Sequence, residues 1–307
     1  MTEVYFDELS LLYSQESSME FHDTTFFQIN SLGSPVPRLP TPAEVRKVWP
    51  HGRGQGGTAR FDDLDLFVKF GPPSYARVEE ALALRAVNKA YSDKEVPAPE
   101  LFGWKMDGGE TFIYMSLVRG TNARESWNVF TREDKEALVD QLGKIVVQLR
   151  RLVRPSSIPL ICSVNGNAVS DLYLRHKHID GPFSDVKTFN DALSVITAPY
   201  IPALGRLPDT YRSYLPDTAN VYFSHGDLNL SNIIMSDTLG VGPRKILAIV
   251  DWEQAGWYPE YWEYCKLNIG ENYGKEWRAA GWADQVMTVY EAERIALWPL
   301  SEYRQWR

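Results

Sequence analysis

The chain has 307 residues, 44% of them hydrophobic and 13% aromatic, with ten Trp and sixteen Tyr; this is a globular composition and excludes a disordered chain. A formal net charge of −8, a pI near 5.3 and the lack of a long Lys/Arg run suit neither nucleic-acid backbones nor anionic lipid, so neither is expected as a partner. No stretch approaches the roughly eighteen apolar residues of a membrane span, and two cysteines, Cys162 and Cys265, are too few for a disulfide framework and lack metal-ligand spacing, which points to a soluble, cytoplasmic protein.

In chain order, residues 1–40 mix acids, aromatics and small polar residues and carry acids early, where a secretory leader would be basic. They read as an N-terminal extension with one short helix, not as a domain. Thr41 to Val48 (TPAEVRKV) fits a helix start and the approach to a strand equally well. HGRGQGGTAR (51–60) is a glycine-rich turn, and Asp65 to Phe70 (DLFVKF) alternates as a strand does. SYARVEEALALRAVNKAY (74–91) has helical periodicity, with Leu82, Ala83, Ala86, Val87 and Ala90 on one face and Pro97 and Pro99 beyond its end. LFGW and TFIYMSLV (111–118) read as two strands with MDGGE as their hairpin turn. This part has the pattern of a small α+β unit.

After Gly120 the texture changes. TREDKEALVDQLGKIVVQLRRLV (131–153) is a long amphipathic helix with Thr131 as N-cap and Glu133 and Asp134 in its first turn. A polar, Gly- and Pro-bearing stretch follows (155–220), in which GPFSDVKTFNDAL reads as a loop entering a helix. Two apolar runs come next, VYFSHGDLNLSNIIM and KILAIVDWEQAG, each with acids at a strand–turn boundary, and the tail reads as two or three helices rich in Trp and Tyr. The chain divides best near residues 116–120.

The chemistry is concentrated in those two runs. An isolated carboxylate between apolar segments must find a partner or face a cleft, because burying it alone costs several kcal/mol or more. Asp227 follows His225-Gly226 and precedes Asn232 by five positions, so one short loop can bring carboxylate and amide together. Asp251, after the strand-like Ile246 to Val250, is a second hard oxygen donor. One acidic turn is what a cap produces; two in order suit a magnesium ion, which takes the rest of its shell from water and phosphate.

His225-Gly226-Asp227 with Asn232, followed by Ile249-Val250-Asp251-Trp252-Glu253, resembles the aminoglycoside phosphotransferase and choline kinase family, the small-molecule branch of the protein-kinase-like superfamily. The loop H-G-D-L-N-L-S-N corresponds to the kinase catalytic loop H-R-D-L-x-x-x-N with Gly in place of Arg, and D-W-E stands where protein kinases have D-F-G. The resemblance spans roughly residues 45 to 300, and its phrasing is similar to fungal members, which have been linked to drug modification, amine or alcohol phosphorylation and secondary metabolism. It implies an α+β, two-lobed fold: an antiparallel-sheet N-lobe that binds nucleotide (41–116) and a larger, mainly helical, catalytic and substrate-binding C-lobe (117–307).

The family's site residues map onto this sequence one by one. Lys69, in Phe67-Val68-Lys69-Phe70, matches the strand lysine that reaches the triphosphate, and the family's E-A-x-A-L-R wording aligns on Glu80, with Glu79 one position off. Gly52 to Gly57 satisfies G-x-G-x-x-G, a pattern with many false positives; Gly54 is its central candidate for covering phosphates. Backbone groups near Ser116 and Leu117 would meet the nucleotide base. The implied co-substrate is ATP, or GTP, with magnesium (Mg2+) held by Asn232 and Asp251. Asp227 would take the proton of a hydroxyl on a small-molecule acceptor, and His225 would brace the catalytic loop rather than act as the base.

The acceptor is less legible. Trp252, Trp257, Tyr258, Tyr261 and Trp262, interleaved with Glu253, Glu260 and Glu263, have the chemistry to hold an ammonium group, although packing is the expected role for most of them, with an acid or two left facing the cleft. Asp171, Arg175, His176 and His178 are candidates for a substrate wall. The alternatives are a non-catalytic nucleotide-binding or scaffold protein, a protein kinase, and a biosynthetic enzyme reusing the fold; the sequence lacks an activation-loop signature and A-P-E after Asp251, which argues against the protein kinase.

Overall fold

The computed structural model describes residues 4–5, 16–28, 37–49, 56–175, 178–197, 200–201, 205–206, 210–237, 242–269, 277 and 280–300. The expectations for Gly54 and His176 lie outside the described residues.

Five antiparallel strands form the N-terminal sheet, in the spatial order Ser18–Glu20, Leu101–Asp107, Glu110–Ser116, Leu66–Gly71, Gly57–Phe61. Leu66–Gly71 alternates as a strand covered on one face requires: Leu66, Val68 and Phe70 are buried with Phe112, Tyr114 and Val45, leaving Phe67 and Lys69 on the opposite face. The hairpin after Asp107 turns on Gly108 and Gly109, both at positive φ (61° and 81°), a conformation only glycine adopts at low cost. The Ser18–Glu20 strand comes from the segment read as an extension. That segment is paired into the sheet edge, and it also carries the short Thr25–Gln28 helix.

The open question at Thr41–Val48 resolves to a helix, Pro42–Val48. Glu44 N donates to Thr41 Oγ1 at 3.3 Å, Thr41 N donates back to the Glu44 carboxylate at 2.8 Å, and Pro42 opens the first turn. The helix expected from residue 74 begins instead at Val78 and runs to Ala90. The four preceding residues belong to a turn in which Tyr75 N and Ala76 N both donate to Pro72 O, at 2.8 and 3.0 Å.

Beyond residue 120 the chain is mainly helical. Arg132–Leu149 is capped by Thr131 and Asp134 and buries Leu138, Leu142, Ile145, Val146 and Leu149 along one stripe. It stops short of Val153, because Leu152 and Val153 pair in parallel with Val4 and Tyr5. Val186–Thr197 is the helix expected within the polar stretch, and Trp262–Ile269, Trp282–Val286 and Glu291–Leu297 are tail helices. Two small antiparallel ladders carry the motifs: Val221–Ser224 beside Gly256–Pro259, and Ile233–Met235 beside Ile246–Ile249. The fold is therefore α+β, an N-terminal antiparallel sheet followed by a mainly helical region. One apolar core runs from Leu82 and Val87 through Trp252 to Leu142 and Ile145, and so joins the two parts. Among the described residues no helix is long and apolar enough to cross a membrane.

Candidate active site

The site forms where the sheet's inner face, the Val78–Ala90 helix and the two motif loops meet. Lys69 reaches from its strand toward the helix and places Nζ 2.7 Å from Glu80 Oε2, 2.6 Å from Asp251 Oδ1 and 3.6 Å from Glu253 Oε2. Glu80 is 1% exposed, and Glu79 instead faces Arg77 at 3.3 Å, so the structure separates the two candidates as the family wording does. Burial alone would lower the Lys69 ammonium, but the carboxylates of Glu80, Asp251 and Glu253 outweigh it and raise its pKa, which keeps it charged. Burial pushes the Glu80 carboxyl up to about 7; Lys69 opposes this and the Asp251 charge adds to it.

Lys69 and Asp251, 182 residues apart in sequence, meet here, and the two motif loops are tied to each other through Val250. Val250 N donates to Asn232 O at 2.9 Å, and His225 Nε2 lies 3.0 Å from Val250 O. The other ring nitrogen, Nδ1, accepts from Asp227 N at 3.2 Å, so Nε2 carries the hydrogen and donates to Val250. Fully buried and packed edge-on against Trp252, the ring has both nitrogens committed to backbone, the arrangement of a brace. Asn232 Nδ2 donates to Asp227 O at 2.9 Å and to Oδ2 at 3.3 Å, which fixes carboxylate and amide side by side. Asp251 itself sits at φ 66°, a left-handed conformation that costs a non-glycine residue about 1–3 kcal/mol. This turn ends the Ile246–Ile249 strand and aims the carboxylate at Lys69.

Glu263 was not singled out for this role by the sequence. It is 3% exposed on the Trp262–Ile269 helix and accepts from Gly226 N at 3.1 Å and Leu228 N at 3.4 Å, the amides on either side of Asp227. The available signal was a carboxylate inside an aromatic helix, which needs a partner to be buried. Gly226 has a physical reason as well. Its φ is 77°, and a Cβ built on it would lie 2.5 Å from Gln254 O, so no side chain fits. Gly226→Ala is expected to displace the loop and cost about 1–3 kcal/mol of stability together with turnover; an unchanged thermal midpoint and rate would mean the loop is arranged differently.

Several expectations are narrowed or corrected. Ser116 N donates to Glu100 O at 2.9 Å and Leu117 N to Asp65 O at 2.8 Å, so neither amide hydrogen is available to a nucleotide base. Trp252, Trp257, Tyr258, Tyr261 and Trp262 are all buried to within 1% and pack the core; they form no open cage for an ammonium group. Asp171 is no wall residue: wholly buried, it pairs with Lys266 at 2.6 Å. Arg175 ends the short helix Leu172–Arg175, and His178 is exposed.

Residues 50–299 match the family model described as the phosphotransferase enzyme family. The chain belongs to that family. None of the curated proteins matches this phosphotransferase-family chain in sequence. Among solved structures it is similar to the aminoglycoside phosphotransferase APH(3'')-Id from Streptomyces rimosus in complex with ADP and streptomycin, at 17% identity over 83% of this chain and 94% of that one, TM-score 0.48. It is also similar to the aminoglycoside-3'-phosphotransferase of type VIII (13% identity, 78% of this chain and 84% of that one, TM-score 0.48). A third is a thermostable mutant of APH(4)-Ia in ternary complex with ADP and hygromycin B (12%, 78% and 75%, TM-score 0.45).

Proposed function

We propose that this phosphotransferase-family chain is a small-molecule kinase that moves the γ-phosphate of ATP, or of GTP, to a hydroxyl group of a small acceptor. The observation that carries this reading is the Lys69 ammonium bonded at once to Glu80 and to Asp251, with Asp251 held beside the Asp227–Asn232 loop through Val250. Residues 41–116 are then the nucleotide-binding lobe and residues 117–307 the catalytic and acceptor-binding lobe.

Phosphoryl transfer needs positioning and charge neutralisation more than covalent help from the protein. Lys69, oriented by Glu80, holds the α- and β-phosphates. Asp227 accepts the acceptor's O–H proton as its oxygen forms a bond to the γ-phosphorus. The bond from that phosphorus to the β–γ bridging oxygen breaks, and its electron pair leaves with the diphosphate. His225 and Glu263 keep the Asp227 backbone in register.

A divalent cation fits these residues. Carboxylate oxygens of Glu80, Asp251 and Glu253 lie within 4.8 Å of one another. Lys69 is bonded among them and the Arg175 charge also acts on Glu253, so two cationic side chains stand against three carboxylates. Asp251 and the amide oxygen of Asn232 are the hard donors that would hold magnesium, and the ion would draw charge from the triphosphate. Asp251→Ala is expected to weaken magnesium-dependent ATP binding by at least the roughly 10–100-fold that follows even from disturbing a metal's outer shell; equal affinity by calorimetry would remove Asp251 from the metal site.

The test is a magnesium- and ATP-dependent screen over amino alcohols and aminoglycosides, read by the mass gain of one phosphate. Transfer to one acceptor class, lost in Asp227→Asn, is the expected result. Firm ATP binding without transfer to any acceptor would favour a non-catalytic nucleotide-binding protein instead.

A further inference from the structure

We propose that Tyr75 is a positioning residue for the nucleotide's phosphate chain, its ring serving as the platform that sets the glycine backbone at Gly56 relative to the Lys69 ammonium. This rests on the kinase reading above.

Tyr75 follows Pro72-Pro73-Ser74 in the turn between Lys69's strand and Glu80's helix. That turn is stiff. Two prolines fix its φ angles, Tyr75 N and Ala76 N both donate to Pro72 O, and Ala76 is fully buried. The ring it presents touches two parts of the site. On one side, a Cβ added to Gly56 would lie 2.4 Å from Tyr75 Cγ and 2.5 Å from Cδ1, and one added to Gly71 would lie 3.2 Å from Cδ1. Gly56 therefore leaves open the volume that the ring fills and adopts the left-handed φ of 67°, while the space open at Gly71 is taken first by the Gly56 backbone, 2.5 Å from a Cβ built there. On the other side, Lys69 Nζ lies 5.7 Å from the ring centroid, within range of a cation–π attraction. Yet the ring remains 36% exposed. Its hydroxyl feels the charges of Lys69, Asp251, Glu80 and Glu253, which places this open aromatic beside the charged cleft.

Backbone amides of a glycine turn and a lysine ammonium are the protein groups that hold phosphate oxygens. Their spacing decides whether a diphosphate or triphosphate can engage both at once; the ladder fixes Gly57 opposite Phe70, and just beyond that pair Gly56 is held between the Gly71 backbone and the Tyr75 ring. Burial raises the Tyr75 hydroxyl pKa, with Lys69 opposing, so the side chain brings no negative charge to compete with phosphate. The ring acts through its bulk, and removing it lets the glycine backbone move while Lys69, Glu80 and the base-binding side stay in place. A residue with only a general structural role would weaken all nucleotides alike.

The test is calorimetry with ATP, ADP and AMP in magnesium buffer on the full chain. Tyr75→Ala is expected to raise the dissociation constants of ATP and ADP about tenfold and to leave AMP within about twofold, while Tyr75→Phe keeps all three near wild type. Gly56→Ala, whose methyl group would collide with the ring, is expected to reproduce the polyphosphate-selective loss. The proposal is overturned if Tyr75→Ala binds ATP as wild type does, if AMP weakens in step with ATP, or if Tyr75→Phe is as weak as Tyr75→Ala, which would make the hydroxyl the contact. A wild-type chain that binds no ATP would overturn the kinase reading itself, a result distinct from equal binding by wild type and variant.

Discussion

Asp227→Asn is expected to lower kcat by roughly 10²–10⁴, the range for loss of a general base, with ATP affinity within about twofold of wild type. The substitution is nearly isosteric. Asn232 Nδ2 still donates to the residue 227 carbonyl, Glu263 still accepts from Gly226 N and Leu228 N, and His225 Nδ1 still accepts from the residue 227 amide, because all of these bonds involve backbone rather than the carboxylate. What disappears is the oxygen able to take a proton from the acceptor hydroxyl. Lys69 bonds Glu80 and Asp251, so the nucleotide side keeps its charges. Steady-state kinetics with any acceptor found in the screen, paired with calorimetry for ATP, measures both halves. Turnover near wild type would remove Asp227 from proton transfer. A parallel loss of ATP affinity would make it part of the nucleotide site.

Lys266→Met is expected to cost about 3–5 kcal/mol of stability, as breaking one partner of a buried ion pair does. For a chain of this size that lowers the thermal midpoint by on the order of 10 °C. Lys266 Nζ lies 2.6 Å from Asp171 Oδ2 and 3.0 Å from Gln254 Oε1, with side-chain exposures of 2% for Lys266 and 0% for Asp171. Its ammonium also lies 4.5 Å from the Tyr173 ring centroid. Asp171 uses its other oxygen to accept from Tyr173 N at 2.9 Å and Leu174 N at 3.4 Å. Methionine fills much of the lysine's volume, so the cost comes from the stranded Asp171 charge and not from a void. The double variant Asp171→Asn with Lys266→Met is therefore expected to recover most of the midpoint: the asparagine oxygen still caps the Leu172–Arg175 helix, and no buried charge is left alone. A Lys266→Met midpoint within a degree or two of wild type would mean the pair contributes little. Because Gln254 accepts from both Lys266 Nζ and Leu172 N, and its carbonyl closes over Gly226, the same change is expected to slow turnover as well.

The residues that sequence reading located best belong to patterns closed within a few positions. The five-residue step from Asp227 to Asn232 survives as a direct hydrogen bond because one short loop makes it. The alternation of Leu66, Val68 and Phe70 necessarily puts Lys69 on the other face, since a strand has only two. The Thr131 cap and the Gly108-Gly109 turn were legible for the same reason, while the start of the Val78–Ala90 helix was missed because a prolyl turn upstream had already taken the amides.

By itself, then, the sequence determined the α+β pattern of the N-terminal part, the long helices and the order of the two acidic turns, all of which follow from local periodicity and turn chemistry, while the class of the whole chain came from its resemblance to a family. Only the tertiary structure decided that Asp171 meets Lys266 in the core instead of lining a substrate wall, that Glu263 clamps the amides around Asp227, that the Ser116 and Leu117 amides are spent on the Glu100 and Asp65 carbonyls, and that Tyr75 fills the space left open at Gly56. Each of those outcomes pairs a group with a partner brought to it by the packing of separate elements, and a buried charge or amide is satisfied by whichever group the fold brings within reach.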